Sequence, residues 1–168
     1  MIDSKIGNGK KFIIKILINS KIQILERIWE AMEKRTVLFV DDEEKILSSL
    51  KRGLLDEPYD TLFTNSGQEA LEILEQKKVH VLVTDMRMSE MLGIELLRVV
   101  KEKYPDIVRV VLSGFAQVTT LFTTIDQGDI YKYITKPWNL EEEFKPAIRQ
   151  AVEYYNIRHK RDKTTTEV

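Results

Sequence analysis

From Thr36 onward, short apolar runs alternate with segments in which apolar residues recur at helical spacing. This alternation is typical of βαβ units and a parallel sheet. The apolar runs predict five strands, at residues 37–40, 59–64, 79–84, 108–112 and 131–135. We therefore expect an α/β fold with a doubly wound five-stranded parallel sheet and helices on both of its faces.

Helical periodicity fills the intervals between these strands. Helices are predicted at residues 44–55, 67–76, 94–103 and 117–126, and a last helix follows Asn139. Ser66, with Glu69 three residues later, predicts an N-cap and a capping box at the start of the second helix. Proline is unfavourable inside a helix, so we expect the last helix to restart with Pro146 in its first turn.

Polar residues directly follow all five predicted strands, and those after the first, third, fourth and fifth are candidates for a shared site. Asp41 and Asp42 follow the first strand, Asp85 the third, Ser113 the fourth and Lys136 the fifth. In doubly wound sheets the functional crevice lies beyond the carboxyl ends of the strands. Each residue alone also fits a structural role, such as a helix cap or a turn. Together, three carboxylates and a lysine at one sheet edge indicate a site for a hard cation such as Mg²⁺.

Composition narrows the possible functions. The net charge of the 168 residues is -1, which does not favour nucleic acid or an acidic membrane as a partner. The absence of cysteine excludes disulfides, thiolate catalysis and cysteine-ligated metals. The apolar cluster at residues 12–18 is interrupted by Lys15 and is shorter than the ~20 residues that span a bilayer. No secretory cleavage pattern follows it, so we expect a cytoplasmic protein.

Four short motifs occur in order at the ends of the predicted strands: VLFVDDEE, VLVTDMRM, VVLSG and YITKPW. Together they resemble the receiver domain of two-component response regulators, over about residues 36–157. The resemblance implies a CheY-like, flavodoxin-like fold with strand order 2-1-3-4-5. The segment at residues 109–139 is most similar to receivers that precede HD-GYP phosphodiesterase domains.

The resemblance implies a phosphoryl-acceptor site. Asp85 would be the nucleophile that forms an aspartyl phosphate. Asp42 would bind Mg²⁺ directly, Asp41 would orient its water shell, and Asp85 and the backbone carbonyl of Arg87 would complete the metal site. The cation would offset the repulsion between carboxylate and phosphate.

The resemblance also implies a switch. Lys136 would pair with a phosphoryl oxygen, and its peptide bond to Pro137 is cis in this family. Ser113 would donate a hydrogen bond to the phosphoryl group and move toward it, and Tyr133 would then turn inward. The changed surface would be the face formed by the domain's fourth helix, fifth strand and fifth helix.

The implied function is a phosphorylation-dependent signalling switch that receives its phosphoryl group from a histidine kinase or a phosphotransfer protein. Its only catalysis would be self-phosphorylation and self-dephosphorylation, and the switched face could form a homodimer. We expect no contact of this domain with nucleic acid or membrane, and the sequence does not identify the effector domain or target. The alternative is a Mg²⁺-dependent aspartyl-phosphate hydrolase of the haloacid dehalogenase type. It is disfavoured because that family has its nucleophile in a DxD motif after the first strand, whereas Asp85 follows the third.

Two positions depart from the family pattern. Receivers commonly carry a proline four residues after the phospho-acceptor, where this chain has Ser89, and an aspartate where it has Leu92. Without the proline the unfolded loop has more freedom, at a cost of about 0.4–1 kcal/mol. We therefore expect a less rigid loop and an unimpaired acceptor.

The sequence predicts three parts: an N-terminal extension at residues 1–35, a receiver domain at 36–157 and a polar tail or linker stub at 158–168. In the extension, apolar residues at three- and four-residue spacing favour an amphipathic helix: Ile18, Ile22, Leu25, Trp29 and Met32. The alternative is that translation begins at Met32 and that the preceding residues are not native.

Overall fold

The computed structural model of the protein describes residues 8–32, 34–114 and 129–165. The chain divides into two compact units, Met1–Lys34 and Arg35–Val168. The first unit contains helix α1, Asn8–Met32, whose apolar side chains between Phe12 and Leu25 are exposed. None of the described helices combines the length and the apolarity that a membrane span requires.

The second unit alternates strands with helices. Its elements, in chain order, are β1 Thr36–Val40, α2 Glu44–Gly53, β2 Asp60–Thr64, α3 Gly67–Gln76, β3 Val81–Asp85, α4 Gly93–Lys103, β4 Val108–Gly114, β5 Lys132–Lys136 and α5 Lys145–Thr165. A π-helical turn, Leu140–Phe144, leads into α5. All five strands are confirmed, with ends close to the predicted ones, while the helix predicted at residues 117–126 lies outside the described residues.

The five strands form one parallel sheet in the order β2-β1-β3-β4-β5, as predicted. The register aligns Val40 of β1 with Thr84 of β3, and Asp85 of β3 with Leu112 of β4. Because all strands run in the same direction, their carboxyl ends lie at one edge of the sheet. The polar residues that follow the strands therefore share that edge.

The core has two layers, one on each face of the sheet. Phe39 and Val83 pack with residues of α2 and α5 on one face, whereas Leu38 and Leu82 pack with α3 and α4 on the other. Both faces of the sheet are therefore buried. This is why the inner strands β1, β3 and β4 appear in the sequence as mainly apolar runs, whereas the edge strands β2 and β5 contain more polar residues.

The helix starts are partly as predicted. The Ser66 hydroxyl caps α3 by accepting a hydrogen bond from the Glu69 N–H at 3.1 Å. The capping box also predicts a hydrogen bond from the Ser66 N–H to the Glu69 carboxylate, and this prediction is wrong. The Ser66 N–H donates to the hydroxyl of Thr64, and the Glu69 carboxylate accepts from that hydroxyl. Pro146 lies in the first turn of α5, as predicted, after a turn that the Asn139 side chain caps.

Helix α4 begins very close to the end of β3. A Cβ atom placed on Gly93 would overlap the backbone carbonyl oxygen of Asp85 and would lie 2.9 Å from the Cα atom of Met86. The Gly93 N–H also donates a hydrogen bond to the Met86 carbonyl at 3.1 Å. Glycine at this position therefore allows α4 to pack against the residue that ends β3.

We expect Gly93→Ala to lower the free energy of unfolding by about 1–3 kcal/mol, because the added methyl group meets backbone atoms that cannot rotate away. Urea denaturation followed by circular dichroism would measure the change. The matched control is Gly53→Ala, whose Cβ would meet only a methyl group of the Leu140 side chain, which can rotate. A Gly93→Ala variant as stable as the wild type would show that α4 moves without cost.

Candidate functional site

Three carboxylates meet at the carboxyl edge of the sheet. Asp41 and Asp42 follow β1, and Asp85 is the last residue of β3. One oxygen atom from each lies within 4.8 Å of the other two. Asp41 is 1% exposed and Asp85 is 6% exposed, so two of these charges are almost removed from water. Such a cluster is stable only when positive charge or hydrogen-bond donors compensate it.

Lys136, the last residue of β5, supplies a positive charge. Its Nζ atom lies 2.8 Å from Oδ2 of Asp41 and 2.9 Å from Oδ1 of Asp85. Glu43 is more distant, with 3.5 Å between Nζ and its Oε1 atom. The ammonium therefore bridges the acids of two neighbouring strands, and its peptide bond to Pro137 is cis, as expected from the resemblance.

Backbone N–H groups orient the two buried carboxylates. The Glu43 N–H donates to Oδ1 of Asp41, and the Arg87 N–H donates to Oδ2 of Asp85, both at 2.9 Å. In each case the donor lies two residues after the acid, which is the geometry of an Asx turn. Arg87 thus contacts the site through its backbone N–H group. That its carbonyl oxygen binds the metal stays a prediction.

Asp42 is held by a different part of the chain. Its Oδ2 atom accepts a hydrogen bond from the Ser89 N–H at 3.0 Å, and 47 residues separate the two. Ser89 belongs to the loop between β3 and α4. The loop after β3 therefore contributes to orienting a carboxylate that follows β1.

The electrostatics of the site follow from burial and pairing. Burial raises the pKa of the Asp41 carboxyl, and the nearby Asp85 adds to this, although hydrogen bonds from Lys136 and from the Glu43 N–H partly oppose it. Burial by itself would lower the pKa of Lys136, but hydrogen bonds to Asp41 and Asp85 outweigh it and the pKa is raised. Lys136 is therefore charged, and its single charge faces three carboxylates, which leaves the site negative.

Ser113 and Tyr133 lie on neighbouring strands. Ser113 is fully buried in β4, one residue after the partner of Asp85, and its hydroxyl donates to the Gly114 carbonyl at 3.1 Å. Tyr133 in β5 pairs with Val111. Since side chains alternate along a strand, Ser113 and Tyr133 lie on the same face of the sheet. Tyr133 packs against the core there, and burial raises the pKa of its hydroxyl, with a contribution from Asp129.

Sequence reasoning missed several contributors to this site. The Thr84 hydroxyl donates to the Asp85 carbonyl at 3.0 Å, Gly93 lies against the same carbonyl, and the Ser89 N–H holds Asp42. Each of these contacts involves a backbone atom of the donor or of its partner, and such contacts leave little trace in a sequence. The sequence offered one signal. Ser89 occupies a position where receivers commonly carry a proline, and a proline would have no N–H to donate to Asp42.

A search of curated proteins finds relatives of this chain. It is 38% identical over 121 residues to the hydrogenase transcriptional regulatory protein HoxA of Cupriavidus necator. The match covers 72% of this chain and 25% of HoxA. The chain thus spans about a quarter of the length of the curated relatives it matches.

Solved structures show the same fold. An uncharacterized protein from Neptuniibacter caesariensis is 37% identical with a TM-score of 0.68, covering 74% of this chain and 92% of that one. The signal receiver domain of an HD domain-containing protein from Pseudomonas fluorescens Pf-5 is 30% identical with a TM-score of 0.70. That match covers 76% of this chain and 93% of the other, and it agrees with the resemblance to receivers that precede HD-type domains.

The family model of the response regulator receiver domain matches residues 37–148, which is more than half of the chain. The matched region contains all five strands except the first residue of β1, together with the acids at the ends of β1 and β3 and Lys136 at the end of β5. Sequence, strand order and site therefore agree that this chain belongs to the response regulator receiver domain family of two-component signalling.

Proposed function

We propose that the protein is a signalling switch in which Asp85 accepts a phosphoryl group from a histidine kinase or a phosphotransfer protein. The position of the Lys136 ammonium supports this proposal, since it contacts both Asp85 and Asp41 at the open edge of the sheet. It lies where it could also pair with oxygens of an incoming phosphoryl group. A half-buried lysine used only for stability would not need a second and a third acid beside it.

The proposed phosphoryl transfer would use these contacts. A carboxylate oxygen of Asp85 attacks the phosphorus atom, and the bond between phosphorus and the donor nitrogen breaks. The Arg87 N–H keeps the carboxylate in a fixed orientation, which lowers the entropic cost of the attack. Lys136 lies 2.9 Å from Oδ1 of Asp85, so only a small movement would transfer its contact to the phosphoryl group.

The three carboxylates fit a Mg²⁺ ion. Mg²⁺ is bound by a few carboxylate oxygens together with water and phosphate, and Asp41, Asp42 and Asp85 bring three such oxygens within 4.8 Å of one another. The carbonyl of Arg87 would be a further ligand. Bound Mg²⁺ would supply the positive charge that offsets repulsion between the Asp85 carboxylate and the phosphoryl oxygens.

Ser113 and Tyr133 would report phosphorylation to the surface. The Ser113 hydroxyl would leave the Gly114 carbonyl and donate to the phosphoryl group, and Tyr133 would turn inward on the same face. Beyond them, Tyr131, directly before β5, and Tyr154 of α5 stack with ring centroids 4.6 Å apart and are partly exposed. This surface, with the helix predicted at residues 117–126, would contact a second copy or an effector.

The proposal assigns the function to residues 36–157 of a cytoplasmic protein, with an extension at residues 1–35 and a tail or linker at 158–168. The output would come from an effector domain or a separate target protein. The rival hydrolase of the haloacid dehalogenase type is disfavoured because residues 41–43 after β1 read DDE and do not form that family's DxD motif. The proposed nucleophile Asp85 ends β3.

Radiolabelled acetyl phosphate with Mg²⁺ is expected to label the wild type once per chain, and Asp85→Asn is expected to abolish the label. The reason is that the amide lacks the nucleophilic oxygen. The matched control is Asp60→Asn, which changes an exposed acid at the start of β2 and should keep full labelling. Chelation of the metal should suppress the label in the wild type and in Asp60→Asn.

Equal labelling of the wild type and Asp85→Asn would contradict the assignment of the acceptor. Steady turnover of simple phosphate esters, with release of many phosphates per chain, would instead support the hydrolase.

Asp41→Asn is expected to stabilise the metal-free protein at pH 7. Burial raises the pKa of Asp41 in the native state, so the native state binds this proton more tightly than the unfolded state does. The ionised form therefore costs stability above the raised pKa. The advantage of the amide should shrink as the pH falls below the ordinary range of an aspartate, where both states are protonated.

Urea denaturation in the presence of a chelator, at several pH values between neutral and acidic, would measure this difference. Asp60→Asn again provides the control, and no gain is expected there because this residue is exposed. Saturating Mg²⁺ should remove the advantage of Asp41→Asn, since binding stabilises the native wild type. A variant that is less stable than the wild type at pH 7 without metal would refute the prediction.

A further inference from the structure

Asp42 differs from the two buried acids in how its oxygens are used. Asp41 and Asp85 each accept one hydrogen bond from a nearby backbone N–H and one from Lys136, so both of their oxygens are engaged. Oδ2 of Asp42 accepts the N–H of Ser89, whereas its Oδ1 accepts no hydrogen bond from any residue that the structure describes. Oδ2 of Asp42 is therefore held in place, whereas Oδ1 is available to a ligand.

The donor of this hydrogen bond is itself held in place. Within the loop from β3 to α4, the Arg87 N–H is bonded to Asp85 and the Gly93 N–H to the Met86 carbonyl. Met88, the residue directly before Ser89, is buried in the core. The loop is therefore anchored on both sides of Ser89, and the N–H has a defined position.

We infer that the backbone N–H of Ser89 is a positioning group for the metal site, because it orients Asp42 so that Oδ1 faces the divalent cation. This inference rests on the proposed Mg²⁺-dependent function. Hydrogen bonds to the second atom of a ligating side chain fix its orientation and commonly change metal affinity. The loop after β3 would thus contribute to the metal site through a backbone group on Ser89, in addition to the predicted carbonyl of Arg87.

The role belongs to the N–H group and not to the serine side chain. The bond to Asp42 starts from the backbone nitrogen, and the side chain of Ser89 is exposed. Ser89→Ala keeps the donor, whereas Ser89→Pro removes it because proline has no N–H. The two variants therefore separate the loss of a hydrogen bond from the loss of a hydroxyl.

Mg²⁺ binding to the full chain, measured by isothermal titration calorimetry, tests the inference. Ser89→Ala is expected to bind within about twofold of the wild type, and Ser89→Pro about tenfold more weakly, in line with other groups that orient metal ligands. Circular dichroism and the urea midpoint would establish whether the proline variant is folded. Binding by Ser89→Pro that equals or exceeds wild-type binding would overturn the inference.

A second measurement tests the inference without a proline substitution. Hydrogen exchange followed by NMR should show a Ser89 amide that exchanges slowly in the wild type and about tenfold faster in Asp42→Ala. The Arg87 amide, which is bonded to Asp85, is an internal control and should not change. The Ser89 amide should stay protected when Mg²⁺ is added. Exchange that is independent of Asp42, or that accelerates on adding Mg²⁺, would overturn the inference.

The outcomes also separate this inference from the proposed function. A wild type that binds no Mg²⁺ and takes no label from acetyl phosphate would overturn both. A wild type that binds Mg²⁺ and is labelled at Asp85, together with an unaffected Ser89→Pro variant, would overturn only the role of Ser89.

Discussion

The contact of the Lys136 ammonium with Asp41 and Asp85 is the interaction on which the site depends. Asp41 and Asp85 are almost fully buried, so they have lost most of their hydration and their charges repel each other, and the ammonium offsets both costs. The parallel sheet makes the contact possible, because it places the ends of β1, β3 and β5 at one edge. A single ammonium does not balance three acids, so the site keeps an excess of negative charge that suits a cation and disfavours the unassisted approach of a phosphoryl group.

Backbone groups give this charged cluster its geometry. Each carboxylate has one oxygen fixed by an N–H, from Glu43, Arg87 or Ser89. Backbone donors have no rotatable side chain, so they orient an acid with little entropic cost. Gly93 contributes by letting α4 pack against the end of β3. The site is therefore built largely from main-chain atoms around four charged side chains.

Stability and function oppose each other at this edge of the sheet. Burial raises the pKa of Asp41, so its ionised form is costly in the native state, yet a carboxylate of the proposed Mg²⁺ site must be ionised. A protein selected for stability alone would have an uncharged residue there. Retaining the acids makes the edge responsive to added charge, and Ser113 and Tyr133 lie on one sheet face where such a response could reach the surface.

The sequence by itself determined the fold class, the five strands and the acids and lysine at their ends. Burial on both sheet faces forces continuous apolar runs, and polar residues directly after those runs mark the strand ends. Only the tertiary structure decided which groups touch. The Glu69 carboxylate turned to Thr64 instead of closing a capping box, and the Ser89 N–H met Asp42 from 47 residues away. Backbone N–H groups are common to almost every residue, so only the path of the chain decides which of them meets a carboxylate.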